Sequence, residues 1–127
     1  MTWIDRTLLL GPRVAVVTTE RQFRRVARSL GVADAAGYVG DGWLGAVHAY
    51  DVGGELVCVV GLNLPRLAQL DGIDVAALIV HEAVHVWQRV RDALAGDVGR
   101  EGEAYAVQNI AAGIMRAYVK ASSSAVV

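Results

Sequence analysis

Val75-Ala76-Ala77-Leu78-Ile79-Val80-His81-Glu82-Ala83-Val84-His85-Val86-Trp87-Gln88 is the stretch that decides how this chain is read. Fourteen residues pass without glycine or proline, and Asp74 stands before them as an N-cap. The spacing predicts a helix from 75 to about 94. Gly96-Asp97-Val98-Gly99 then separates it from a second helix, from about 100 to 120. A polar triplet interrupts an otherwise uncharged run, so the sequence places two histidines and a glutamate where the helix is expected to be buried. Burying such groups is costly unless something pairs them.

Upstream the pattern changes period. Arg13-Val14-Ala15-Val16-Val17-Thr18 is short and β-branched, which predicts a strand. Thr19 offers an N-cap for a helix over 20–30, closed by Gly31. Residues 37–42 form a glycine-rich loop. A strand over 44–51, a turn at Val52-Gly53-Gly54 and a strand over 55–62 follow. Leu56-Val57-Cys58-Val59-Val60 is apolar on both faces, as an interior strand requires. The 44–51 segment mixes Gly45, His48, Tyr50 and Asp51 and suits an edge. Asn63-Leu64-Pro65 breaks the run before a short helical segment. The expected fold is α+β: about three strands, antiparallel or mixed, packed on the histidine-bearing helix and a C-terminal helix. One domain is expected over 1–120, with a flexible tail over 121–127.

The 127 residues fit one domain, and 54% hydrophobic with 20% charged residues is a globular balance. A net charge of -1 gives no electrostatic footprint for nucleic acid. Arg21, Arg24, Arg25 and Arg28 are read as a solvated helix face. The single cysteine, Cys58, excludes an internal disulfide. No signal peptide is recognised, and the longest apolar run is too short to span a bilayer. The expectation is a cytoplasmic protein with no membrane and no nucleic-acid partner.

His81-Glu82-Ala83-Val84-His85 has a specific chemical meaning. Residues four apart share a helix face, so His81 and His85 can aim two imidazole nitrogens at one Zn2+ ion. Glu82, one step round, can reach a metal-bound water without ligating the metal, as a general base must. A third histidine six residues beyond His85 would mark another class of site, but Arg91 stands there. The following helix offers Glu101 and Glu103. Steps of helical length from Glu103 reach Val107, Ile110 and Ile114, an apolar stripe, so Glu103 is expected to face inward. Glu101 leads instead to Tyr105, Gln108 and Ala112. Glu103 is therefore preferred to Glu101 as third ligand. Gln88, one turn past His85, could orient a ligand. His48, Tyr50 and Tyr105 are candidates to donate to a developing oxyanion.

With Glu103-Ala104-Tyr105 one linker further on, His-Glu-Ala-Val-His resembles the gluzincin arrangement of the thermolysin-like zinc metallopeptidases. The longer strings, 81–88 and 103–108, also resemble small proteins encoded by tailed bacteriophages and prophages. The resemblance covers the last third of the chain. It implies a minimal zincin-like core that hydrolyses peptide bonds with zinc-activated water. The edge strand over 44–51 would run beside the active-site helix and pair with an extended substrate. The implied setting is the bacterial host cytoplasm, and the implied partner a peptide or one host or phage protein. The chain departs from the class in size, having nothing to form the second lobe of the cleft. An alternative expectation is a zinc-binding but catalytically inactive interaction or regulatory module.

Overall fold

Four strands and four helices form in the order β1 (Thr2–Ile4), β2 (Arg13–Val17), α1 (Glu20–Ser29), β3 (Gly45–Val52), β4 (Glu55–Leu62), α2 (Leu64–Leu67), α3 (Gly72–Ala93) and α4 (Gly99–Ala125). This computed structural model describes residues 1–4, 12–32, 39, 42–94 and 96–125. The 37–42 loop expected from sequence lies mostly outside them, as do 126–127 at the chain end.

The strands form one mixed sheet in the order β1-β2-β4-β3. β4 is interior, parallel to β2 (Val14 opposite Cys58) and antiparallel to β3 (Val47 opposite Val60). Its residues from Val57 to Leu62 are all buried, which accounts for the run without polar alternation. β3 is the edge strand, as its mixed composition predicted. The sheet has a fourth strand that the sequence did not announce. Thr2-Trp3-Ile4 pairs antiparallel with Val14-Ala15-Val16, and three residues are too few to show a period.

Both faces of the sheet are covered. α1 starts at Thr19, whose side chain accepts from the Gln22 N–H, and it buries Phe23, Val26 and Ala27. Phe23 and Val26 pack with Ala15, Val17 and Val59 on one face. The opposite face carries the larger core, in which Val14, Val16, Cys58, Val60 and Leu62 meet the buried sides of α3 and α4. α3 lies along β3 and β4, whereas α4 packs on α3 and reaches β1 at the far edge. The contact with β1 is close: a Cβ on Gly113 would stand 2.6 Å from Ile4 Cγ2.

Two helix boundaries differ from expectation. α3 begins one turn early, because Asp71 rather than Asp74 is the N-cap; its Oδ1 accepts from the Asp74 N–H at 2.8 Å. The extra turn carries Ile73, 81% exposed, so no buried residue there extends the apolar period. α4 runs on to Ala125, through most of the stretch expected to be a flexible tail. A serine run lowers helix propensity only modestly and does not by itself end a helix.

Candidate active site and metal centre

The face that α3 turns to the core consists of Val75, Ile79, Glu82, Ala83, Val86, Trp87 and Val90. The next face round the helix carries His81, His85, Gln88, Arg89 and Asp92. These residues form one wall of a cleft of about 520 Å³, and Trp43 with residues 45–48 forms the other. Because β3 is the last strand of the sheet, nothing in the sheet closes this side of α3. The cleft continues into a second recess of about 610 Å³, lined by Trp43, Leu44, Leu70, Ala77 and Leu78 and sharing His81 and Glu82.

His81 Nε2 and His85 Nε2 lie 3.1 Å apart, with ring planes at 86°. Two imidazoles on one tetrahedral zinc, each about 2.0–2.1 Å from the metal, would hold their nitrogens about 3.3 Å apart. The pair therefore needs almost no rearrangement to share an ion. His85 Nδ1 lies 2.9 Å from Gln88 Oε1. With its proton donated to that amide oxygen, His85 keeps a lone pair on Nε2, the tautomer a ligand requires. In the metal-free protein the His81 Nε2–H can donate to that lone pair. Gln88 thus holds the orienting position expected from its place on the helix.

The apolar run suggested burial of the whole triplet, and only Glu82 follows it. His81 and His85 are exposed to the cleft, whereas Glu82 is buried, at 4% exposure. The reason is angular. Successive helix residues are about 100° apart, so Glu82 swings under β3 while the histidines stay on the open side. The approach is close enough for a side chain at position 45 to crowd its neighbours. A Cβ on Gly45 would lie 3.3 Å from both Glu82 Cγ and Oε1, and 3.2 Å from the Gly61 carbonyl oxygen. Glu82 Oε2 is buried without a hydrogen-bond partner. Burial pushes the Glu82 carboxyl pKa up, and the imidazoles of His81 and His85 pull it part of the way back.

Two converging imidazoles beside an unpartnered buried carboxylate are a donor set that fits a zinc ion and its water. The third ligand is a different matter. Glu103 is exposed rather than inward-facing, and Glu101 is exposed too. The buried residues of α4 are Ala106, Ile110, Ala111, Ile114 and Ala117; Glu103 is in line with that stripe but stands in the first turn, before the buried part begins. Since α4 reaches towards β1, it flanks α3 on the side away from the cleft. Among the described residues no group of three His, Cys, Asp or Glu side chains is placed to hold a metal.

The oxyanion candidates are not gathered at the histidine pair either. His48 contributes to the cleft wall, but its ring packs 4.8 Å from Phe23 on the α1 side of the sheet. Tyr50 packs against that same smaller core, and burial raises its pKa. Strand alternation explains both: Gly45 and Val47 face α3, so His48 and Tyr50 face away. Tyr105 is 59% exposed on α4. Conversely, sequence reasoning passed over Gly45, Trp43, Arg89 and Asp92. Gly45 carried a usable signal, since glycine within a strand marks close approach. Arg89 is four residues beyond His85 and so shares its face.

No family model matches the chain, and no curated protein or solved structure matches it either. Among the described residues no helix is long and apolar enough to cross a membrane.

Proposed function

We propose that this chain is a zinc-dependent, metallopeptidase-like hydrolase in which His81 and His85 bind the metal and Glu82 is the general base. The observation that carries the reading is the 3.1 Å convergence of the two Nε2 atoms beside a buried carboxylate with an unpartnered oxygen. Zinc held there would act as a Lewis acid and lower the pKa of a bound water to about 7. Glu82 takes a proton onto its carboxylate and returns it to the leaving amine. Its raised pKa suits both transfers, because a base and acid works best near the operating pH. Gln88 keeps His85 in the ligating tautomer. The open edge of β3 offers backbone donors and acceptors to an extended peptide lying in the cleft.

Glu103 is the third ligand that the sequence offers, ahead of Glu101. For either to serve, the start of α4 has to be placed differently when metal is bound. The substrate class is a peptide or an exposed segment of one host or phage protein, and the setting a bacterial host cytoplasm. A zinc-binding but inactive interaction module is the second reading, and the exposed position of both glutamates away from the cleft favours it. The two are separated by incubating zinc-loaded protein with a peptide library and identifying products by mass spectrometry. Cleavage that disappears in Glu82→Gln while zinc is retained supports the hydrolase. Full zinc occupancy without cleavage, in the wild type as in the variant, supports the module.

A further inference from the structure

Arg89 occupies a position that metal binding and general base catalysis do not use. It follows His81 and His85 at successive four-residue steps, so the three side chains stand in one row along the cleft wall of α3. It is exposed, and among the described residues no ion pair or hydrogen bond engages its guanidinium. Arg89 lies seven residues, about two turns, beyond Glu82 on α3 and lines the same cleft as residues 45–48 of β3.

The two ends of the cleft differ chemically. At the Trp43 end the adjoining recess is lined by Leu44, Leu70, Ala77 and Leu78, together with the acidic Asp74. The other end holds Gln88, Arg89 and Asp92. An exposed cation lining a groove, with no internal partner, can pair with an anion on whatever occupies the groove. Asp92 lies three residues past Arg89 in the same cleft, and no ion pair joins them. It repels an acidic group placed further along, and so narrows the position at which one is accepted.

We infer that Arg89 is a specificity-determining residue that reads an acidic side chain on an extended peptide lying between β3 and α3. This rests on the reading of the cleft as a peptide site. The spacing sets the position. From the middle of the His81–His85 pair to Arg89 is six residues of helix, about 9 Å at 1.5 Å per residue. An extended peptide covers that length in about three residues. The acidic residue therefore lies two or three positions from the peptide bond that faces Glu82.

The test is equilibrium binding by fluorescence polarisation, at low salt, of labelled decapeptide pools. One internal position is fixed as Glu, Gln or Lys, and the rest are drawn from Ala, Leu, Ser and Thr. Wild type, Arg89→Gln and Arg89→Glu are compared. Wild type should bind the Glu pool about fivefold more tightly than the Gln pool, the size of a good exposed ion pair. Arg89→Gln should lose that preference, and Arg89→Glu should turn it towards Lys. Equal binding of all pools by wild type, no binding of any, or a Glu preference surviving in Arg89→Glu would each overturn the inference. The proposed hydrolysis is read separately, as cleavage of the bound pool. Arg89-dependent binding without cleavage leaves this inference standing and removes the peptidase.

Discussion

Replacing Gly45 by alanine probes the closest approach in the site. The new Cβ would lie 3.2 Å from the Gly61 carbonyl oxygen and 3.3 Å from Glu82 Cγ and Oε1. Gly61 belongs to the backbone of β4, the interior strand, and cannot retreat. Glu82 must give instead, and any shift moves a carboxylate that is buried with its Oε2 unpartnered. Overpacking of this kind costs about 1–3 kcal/mol. Replacing a strand glycine by alanine returns about 0.5–1 kcal/mol through backbone entropy. The net expectation is a loss of about 0.5–2 kcal/mol. The informative quantity is the coupling to Glu82. In a Glu82→Ala background the crowding atoms Cγ and Oε1 are gone and only the Gly61 carbonyl contact remains, so Gly45→Ala should cost distinctly less than in the wild type. Urea unfolding of the four proteins in the cycle should give a coupling energy of about 1–2 kcal/mol. A coupling below about 0.3 kcal/mol would refute the reasoning, because the obstacle would then be the strand and not the base.

Other outcomes follow from the same geometry. Glu82 has a raised pKa in the folded protein, so its acid form is favoured there. The penalty for ionising it is absent below the unfolded-state value of about 4.3 and complete above the folded value. Metal-free wild type should therefore lose stability relative to Glu82→Gln as pH rises from 4.5 to 8. The gap should reach about 1–3 kcal/mol in urea titrations, the cost of an unsatisfied buried polar group. Gln88→Ala should weaken zinc binding about 10–100-fold in competition with a chromophoric chelator, because His85 loses the acceptor that fixes its tautomer. Gly113→Ala should destabilise by about 1–3 kcal/mol in thermal unfolding. That is opposite to the gain of about 1 kcal/mol expected of this change in a helix. The cause is the Ile4 side chain, and Ile4→Ala should relieve it.

How much of this was legible in the sequence differs from element to element. The run without polar alternation marked β4 as interior, and the mixed composition of 44–51 marked β3 as an edge. Helical spacing brought His81 and His85 together and put Gln88 within reach of His85. Periodicity gave the buried stripe of α4 but not its extent. Glu103 is in line with Ile110 and Ile114, yet burial on that stripe begins only at Ala106, so the glutamate in the first turn is exposed. How far a packed face runs towards a helix end is set by the neighbouring element, which spacing does not show. That Glu82 alone of the triplet is buried was illegible for a related reason: it depends on where β3 approaches α3, with Gly45 against Glu82, a tertiary contact between segments 37 residues apart in number. His48 and Tyr50, two residues apart, share one face of β3, but which face meets α3 follows from register.

The most direct test is the metal content of protein purified without chelators, measured by elemental mass spectrometry beside His81→Ala, His85→Ala, Glu103→Gln and Glu101→Gln. The account predicts near-stoichiometric zinc in the wild type, lost in both histidine variants and retained in Glu101→Gln. Loss in Glu103→Gln would identify the third ligand, and retention there would leave the histidines as the only protein ligands among those tested. No zinc in the wild type, even after the metal is added back, would contradict the central claim and leave His81 and His85 as two cleft-lining histidines bonded to each other.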